Sequence, residues 1–103
     1  MSETRTVTVV MSEEDVSDGA QGECLACPVQ MALSRAVRAV GQHGMVWVFH
    51  DSAKVMGVAP RTYWDTVLPW YVAQWIELYD RWGHRRRRKP LRPFTLAFTR
   101  FGP

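Results

Sequence analysis

Residues 69 to 83 have the pattern of an amphipathic helix, and this pattern constrains the fold more than any other feature of the chain. Pro69 suits the start of a helix and Gly83 suits its end. At 100° per residue, most of the apolar side chains fall in one arc of roughly 160°. The arc consists of Tyr71, Val72, Trp75, Ile76, Leu78, Tyr79 and Trp82. Such a helix must bury its apolar face against another element, which predicts a layered domain.

A second amphipathic helix is predicted to begin at Pro28, after Cys27, and to end at Gly41. Its apolar stripe consists of Val29, Ala32, Leu33, Ala36, Val37 and Val40. Before this helix, Ser12 is predicted to cap a short turn, with Asp15 in the place of the usual Glu or Gln of a capping box.

Four segments have strand patterns, namely residues 4–10, 45–49, 54–58 and 94–101. The middle two flank His50-Asp51-Ser52 and are predicted to form a hairpin, whereas residues 61–68 are predicted to form a loop. The order β–α–β–β–α–β predicts an α+β fold: a four-stranded, mainly antiparallel sheet with two helices on one face. The 103 residues predict a single domain spanning residues 1–103.

Charge is strongly segregated along the chain, although the net charge is only +3. Residues 1–30 contain six acidic residues and one basic residue, whereas residues 80–100 contain eight basic residues and one acidic residue. The basic end is predicted to contact an anionic partner, and nucleic acid fits this charge. The predicted contact residues are Arg85, Arg86, Arg87, Arg88, Lys89 and Arg92. The alternatives are a solvated loop that keeps the protein soluble and a contact with an acidic protein.

Trp70 is the one apolar residue on the polar side of the predicted helix 69–83. Its position predicts either a partner or oligomer contact, or packing beneath the loop 61–68. Tyr63 and Trp64 in that loop would extend such an interface. A second function hypothesis follows, in which the protein binds another protein or sequesters a small ligand through this aromatic surface, as a homo-oligomer.

The two cysteines, Cys24 and Cys27, suit either a redox dithiol or half of a zinc site, and this is a third hypothesis. The alternative is that Cys27 is a small buried residue at a helix start. His43, His50 and His84 lack close metal-ligand spacing, so neither a metal nor a cofactor is predicted.

The chain contains no Gly-x-Ser-x-Gly, P-loop or His-Glu-x-x-His motif, which favours a non-enzymatic protein.

No segment of about 18 apolar residues is present, so no membrane span is predicted. The first residues have neither the basic region nor the apolar region of a signal peptide. With two cysteines that do not form a disulfide scaffold, these features predict a cytoplasmic protein.

Several short motifs resemble a pattern in small uncharacterised proteins of actinobacteria and their phages. The matching residues are Asp15-Val16, Gly19, Cys27-Pro28-Val29, Leu68-Pro69, Tyr79-Asp80 and Pro93-Phe94-Thr95-Leu96. The resemblance implies a phage or mobile-element origin, and it implies no activity and no catalytic residues. With such an origin, the second hypothesis describes a phage accessory or counter-defence protein that binds a host protein or sequesters a small ligand. The run Arg85 to Arg88 departs from this pattern, because it fills what would otherwise be a short loop.

Overall fold

The computed structural model describes residues 4–18, 27–41, 44–57, 63–82 and 89–101. Five strands and three helices follow one another along these segments. They are β1 (Thr4–Val9), α1 (Glu13–Asp18), α2 (Pro28–Ala39), β2 (Met45–Val48), β3 (Ser52–Met56), β4 (Tyr63–Val67), α3 (Trp70–Trp82) and β5 (Phe94–Phe101). The predicted α+β class is confirmed, with one more strand and one more short helix than the sequence patterns indicated.

The five strands form one sheet with the order β1-β5-β4-β3-β2, and every neighbouring pair is antiparallel. The predicted hairpin is confirmed as β2–β3, which continues into β4 as a meander. The backbone N–H of Phe49 donates to the Ser52 carbonyl at 2.8 Å and closes the hairpin turn. Along the chain β5 comes last, but in the sheet it lies between β4 and β1.

Strand β4 corrects the prediction that residues 61–68 form a loop. The sequence of β4 does not show the usual strand alternation of apolar and polar residues, because its buried residues are not always apolar and its exposed residues are not always polar. Thr66 is polar and points inward, whereas Val67 is apolar and 79% exposed. A strand of this kind is stabilised by pairing with both neighbours, which hydrophobic periodicity alone does not reveal.

The two faces of the sheet differ sharply in burial. One face, called the inner face here, packs against the helices, and Arg5 of the edge strand β1 is its one exposed residue among those whose burial the structure describes. The buried residues of this face are Val7, Val9, Val46, Val48, Ala53, Val55, Trp64, Thr66, Phe94, Leu96 and Phe98. Val29 and Leu33 of α2 and Val72 and Ile76 of α3 belong to the same core cluster. The helices therefore cover the inner face of the sheet.

Helix α2 begins and ends as its sequence predicts. Cys27 is the N-cap, and its Sγ accepts a hydrogen bond from the backbone N–H of Gln30 at 3.4 Å. Pro28 takes the first turn, and Gly41, with φ of +82°, follows the C-cap Val40. The left-handed conformation at Gly41 is the usual way to end a helix.

Helix α1 is tied to the rest of the fold by Asp15. The predicted capping box is confirmed, since the Ser12 N–H donates to Asp15 Oδ2 at 2.8 Å and the Asp15 N–H donates to Ser12 Oγ at 3.1 Å. Arg35 of α2 donates two bonds to the same carboxylate, at 2.6 and 3.0 Å, and one to the Val10 carbonyl at 2.8 Å. One guanidinium thus joins α1, α2 and the end of β1.

Gly44 precedes β2 at a point where two backbones approach closely. A Cβ at this position would lie 1.8 Å from the carbonyl oxygen of Met56, far inside van der Waals contact. Met56 ends β3 and pairs with Met45 at the start of β2. Only glycine fits here without opening the end of the hairpin.

Candidate binding surfaces

The basic segment, defined as residues 85–92, is only partly described. Arg85, Arg86, Arg87 and Arg88 lie outside the described residues, whereas Lys89 and Arg92 are described and exposed. The indole N–H of Trp75 in α3 donates to the Lys89 carbonyl at 3.1 Å, and Leu91 packs against the core. The C-terminal part of the basic segment is therefore held against α3 while its two described cationic side chains face solvent.

The predicted aromatic interface does not form one surface. Tyr63 and Trp64 are consecutive residues of β4, so their side chains point to opposite faces of the sheet. Trp64 is only 6% exposed on the inner face, where the Arg5 guanidinium lies 5.2 Å from its ring centroid. Trp64 therefore belongs to the core, and Tyr63 and Trp70 lie near opposite ends of β4.

Trp70 instead lies beside Tyr71, which the sequence pattern placed on the apolar side of the helix. Trp70 and Tyr71 are 76% and 42% exposed, and this pair is called the Trp70 patch here. The rings of Trp70 and Tyr71 meet edge to face with centroids 6.0 Å apart. Tyr71 makes a similar contact with Phe94 at 6.5 Å, which fixes the patch against the start of β5.

The open face of the sheet, opposite the inner face, is a second exposed surface. Its residues are all exposed or half-buried: Thr4, Thr6, Thr8, Met45, Trp47, Ser52, Lys54, Met56, Tyr63, Asp65, Val67, Thr95, Ala97 and Thr99. The Lys54 Nζ lies 5.8 Å from the Tyr63 ring centroid. The sequence patterns indicate no binding role for Trp47, Lys54 or Asp65, because these residues lie on three different strands and become neighbours only when those strands pair.

The strand register places five open-face residues in one row across the whole sheet. The row reads Trp47, Lys54, Asp65, Thr99 and Thr4, one residue from each strand. At about 4.8 Å between neighbouring strands, this cross-sheet row is roughly 19 Å long. It joins an aromatic ring, an ammonium group, a carboxylate and two hydroxyl groups on one exposed surface.

A shallow depression of about 340 Å³ lies on this face, where β4 and β5 separate. The β4–β5 register ends at the pair Asp65 and Thr99. Beyond this pair the Thr66 hydroxyl donates to the Ala97 carbonyl at 2.9 Å, so a side chain makes the link between the strands there. Asp65, Val67, Ala97 and Thr99 line the depression with Thr66. The depression therefore offers polar groups beside the cross-sheet row.

Cys27 is a small buried residue at the start of a helix, which is the structural alternative to a redox or metal-binding role. It is 4% exposed, and its Sγ caps α2. Cys24 lies outside the described residues, so the dithiol hypothesis stays a prediction. Within the described ranges, no group of three or more His, Cys, Asp or Glu side chains is arranged to hold a metal ion.

Tyr79 of α3 makes contacts that stabilise the fold. Its hydroxyl donates to the Val16 carbonyl at 3.2 Å, and its ring stacks on Trp75 with centroids 5.2 Å apart. Burial, together with the charges of Cys27 and Asp80, raises the pKa of Tyr79. The hydroxyl therefore stays protonated at neutral pH and links α3 to α1.

No protein-family model matches the chain, and no curated protein and no solved structure matches it either. The resemblance to small actinobacterial and phage proteins stays a prediction. Among the helices of the described segments, none is both long enough and apolar enough to cross a membrane.

Proposed function

We propose that the protein is a small non-enzymatic binding module that contacts an anionic partner, with nucleic acid as the expected partner, through the basic segment. The observation behind this proposal is the charge of residues 80–100, which contain eight basic residues and only one acidic residue. Seven of those eight are arginine, whose planar fork suits phosphate oxygens. Like charges at this density repel one another, and an anionic partner relieves that repulsion.

The described end of the basic segment supports this role. Because Trp75 holds the Lys89 backbone and Leu91 packs on the core, the side chains of Lys89 and Arg92 are presented from a fixed backbone. A fixed backbone lowers the conformational entropy that is lost when a partner orders the segment.

Changing Arg85, Arg86, Arg87, Arg88 and Lys89 together to glutamine is expected to weaken binding to a random-sequence DNA duplex by about a hundredfold or more at low salt. The physical reason is counterion release, and the slope of log affinity against log salt should fall in magnitude by roughly 4.5. Fluorescence anisotropy between 50 and 200 mM salt, with circular dichroism to check folding, measures both quantities.

A matched pair of double variants serves as the control. R86Q/R87Q and R38Q/R81Q remove the same charge, but the second pair removes exposed arginines from α2 and α3. The first pair is expected to lower the salt slope by roughly 2, and the second by much less. Equal effects would show that net charge alone drives binding and would contradict a dedicated basic segment.

A second candidate function rests on the Trp70 patch, through which the protein would bind a host protein, sequester a small ligand or form a homo-oligomer. Two exposed aromatic side chains in contact with each other are typical of a contact surface. Trp64 has no part in it, because it is buried.

The oligomer form of this idea predicts a molar mass above the 11.9 kDa of one chain for the wild type and a return to that mass in Trp70→Ser. Light scattering coupled to size-exclusion chromatography measures this difference. Val40→Ser, which removes another exposed apolar side chain, is expected to leave the mass unchanged. A wild-type protein that elutes as a monomer would remove the oligomer from consideration.

A further inference from the structure

We propose that the open face of the sheet binds single-stranded nucleic acid, with bases stacked on Trp47 and Tyr63. This inference rests on the proposed function and deepens it, because it states which nucleic acid the module takes and where the bases lie.

The first argument is the exposed apolar content of the open face. Met45 is 54% exposed and Met56 is 37% exposed, and they pair with each other at one end of the sheet. Tyr63 continues the same row on β4, and Trp47 lies one position further along its face of β2. Apolar and aromatic side chains collected on one uncovered surface indicate that something covers them in use.

The second argument is the chemistry of the cross-sheet row. Trp47 offers a flat ring for stacking, which is tolerant of sequence because every base has a π-face. Lys54, next in the row, offers a positive charge near the Tyr63 ring. Asp65 and Thr99 border the depression between β4 and β5, where their oxygens can accept hydrogen bonds from base amino groups. The row therefore contains one stacking ring and groups that can contact base edges, and Tyr63 in the adjacent row offers a second ring.

The third argument is shape. The open face is a broad sheet surface, and the helices of the domain cover the opposite side. A surface of this kind does not enter the groove of a duplex, whereas unpaired bases can lie flat on it. RNA-recognition domains of other architecture stack two or three bases on a four-stranded sheet, and a row of roughly 19 Å across five strands has room for a similar number.

A protein partner fits this face less well than single-stranded nucleic acid. Five exposed threonines, at positions 4, 6, 8, 95 and 99, spread hydroxyl groups over the half of the face formed by β1 and β5. The apolar core that a protein interface needs is confined to the other half, near β2 and β3. The overall charge of +3 and the basic segment also favour a polyanion.

The test compares a fluorescently labelled, random-sequence 12-nucleotide single strand with the duplex of the same sequence at one salt concentration. The wild type is expected to bind the single strand more tightly. Trp47→Leu and Tyr63→Leu keep apolar bulk for folding but remove the rings, and each should weaken single-strand binding about tenfold. Neither variant should change duplex binding or the salt slope, because no phosphate contact is removed.

Val40→Ala is the control, since it removes exposed apolar bulk at the end of α2, outside the open face, and it should leave single-strand affinity unchanged. Asp65→Asn tests the face without removing a ring, and it should alter the preference among homopolymer strands while the protein stays folded.

The outcomes separate the two proposals. A wild type that binds neither strand nor duplex would overturn the proposed function and this inference together. Binding that depends on the basic segment but is equal for strand and duplex, and is unchanged by Trp47→Leu and Tyr63→Leu, would overturn this inference alone. If these two variants instead convert a larger species to a monomer in light scattering, the open face is a protein contact.

Discussion

Replacing Gly44 by alanine is expected to lower the free energy of unfolding by about 3 kcal/mol, because the hairpin end must open to accept one methyl group. The new Cβ would lie 1.8 Å from the Met56 carbonyl oxygen and 2.9 Å from its carbonyl carbon. Both are backbone atoms, so no side chain can rotate away to relieve the clash. For a chain of this size the loss corresponds to a fall in Tm of about 15 °C, measured by thermal and urea unfolding.

Gly41→Ala is the control for this prediction. Gly41 has φ of +82°, but among the described residues, its chain neighbours aside, no atom lies within 4 Å of the position that a Cβ would take. Alanine at this position is expected to lower the free energy of unfolding by only about 1 kcal/mol, because the left-handed backbone is its one source of strain. If Gly44→Ala costs no more than Gly41→Ala, then the close approach of Gly44 to Met56 does not constrain the hairpin.

Replacing Asp15 by asparagine is expected to destabilise the protein by about 2 kcal/mol at pH 7. The carboxylate side chain is 3% exposed, and it accepts two bonds from Arg35 and one from the Ser12 N–H. Asparagine would leave part of the guanidinium without its anionic partner. The cost stays below that of a fully buried pair because the Arg35 side chain is 54% exposed and can be hydrated.

The same carboxylate should make stability depend on pH. Burial raises the pKa of Asp15, but hydrogen bonds from Arg35 and Ser12 and the charge of Arg35 outweigh burial and hold the pKa below its usual value. A lowered pKa in the folded state gives stability that is complete above the unfolded value of about 3.9 and is lost as the pH falls through the folded value. The difference between wild type and Asp15→Asn should therefore shrink below about pH 4.

Urea unfolding of both proteins at pH 7 and at pH 3 measures this change. Glu13→Gln is the control, because it removes the same charge from an exposed position in the same helix turn. It should change stability by less than about 0.5 kcal/mol at pH 7. A pH-independent gap between wild type and Asp15→Asn would contradict the role assigned to this carboxylate.

The sequence predicted the helices and the outer strands because local patterns determine them. Pro28 and Gly41 bound one helix, and the alternation of Phe94, Leu96 and Phe98 defines β5. The Ser12–Asp15 capping box was predictable for the same reason, since its partners lie three residues apart. Features that depend on residues close in sequence can therefore be predicted from the sequence alone.

Strand β4 and the open face could not be predicted from local sequence patterns. Tyr63 and Val67 are apolar residues on the open face, and Thr66 is a polar residue on the inner face, so the usual alternation of β4 is blurred. Trp64 was assigned to an interface because its burial follows only once β4 is known to be a strand. The cross-sheet row depends on the register of four strand pairs, which no single segment contains.

The position of β5 has a consequence for how the protein is made. β1 can pair only when β5 has been synthesised, because β5 lies between β1 and β4 and is the last strand along the chain. At ordinary translation rates this interval is roughly 5 to 20 s. During that time β1 has no strand partner on the ribosome, and the β4 edge of the β2–β3–β4 meander is unpaired for the shorter interval between the synthesis of β4 and that of β5. Nascent chains on neighbouring ribosomes could pair through those edges until β5, which follows the other four described strands along the chain, fills the position between β4 and β1.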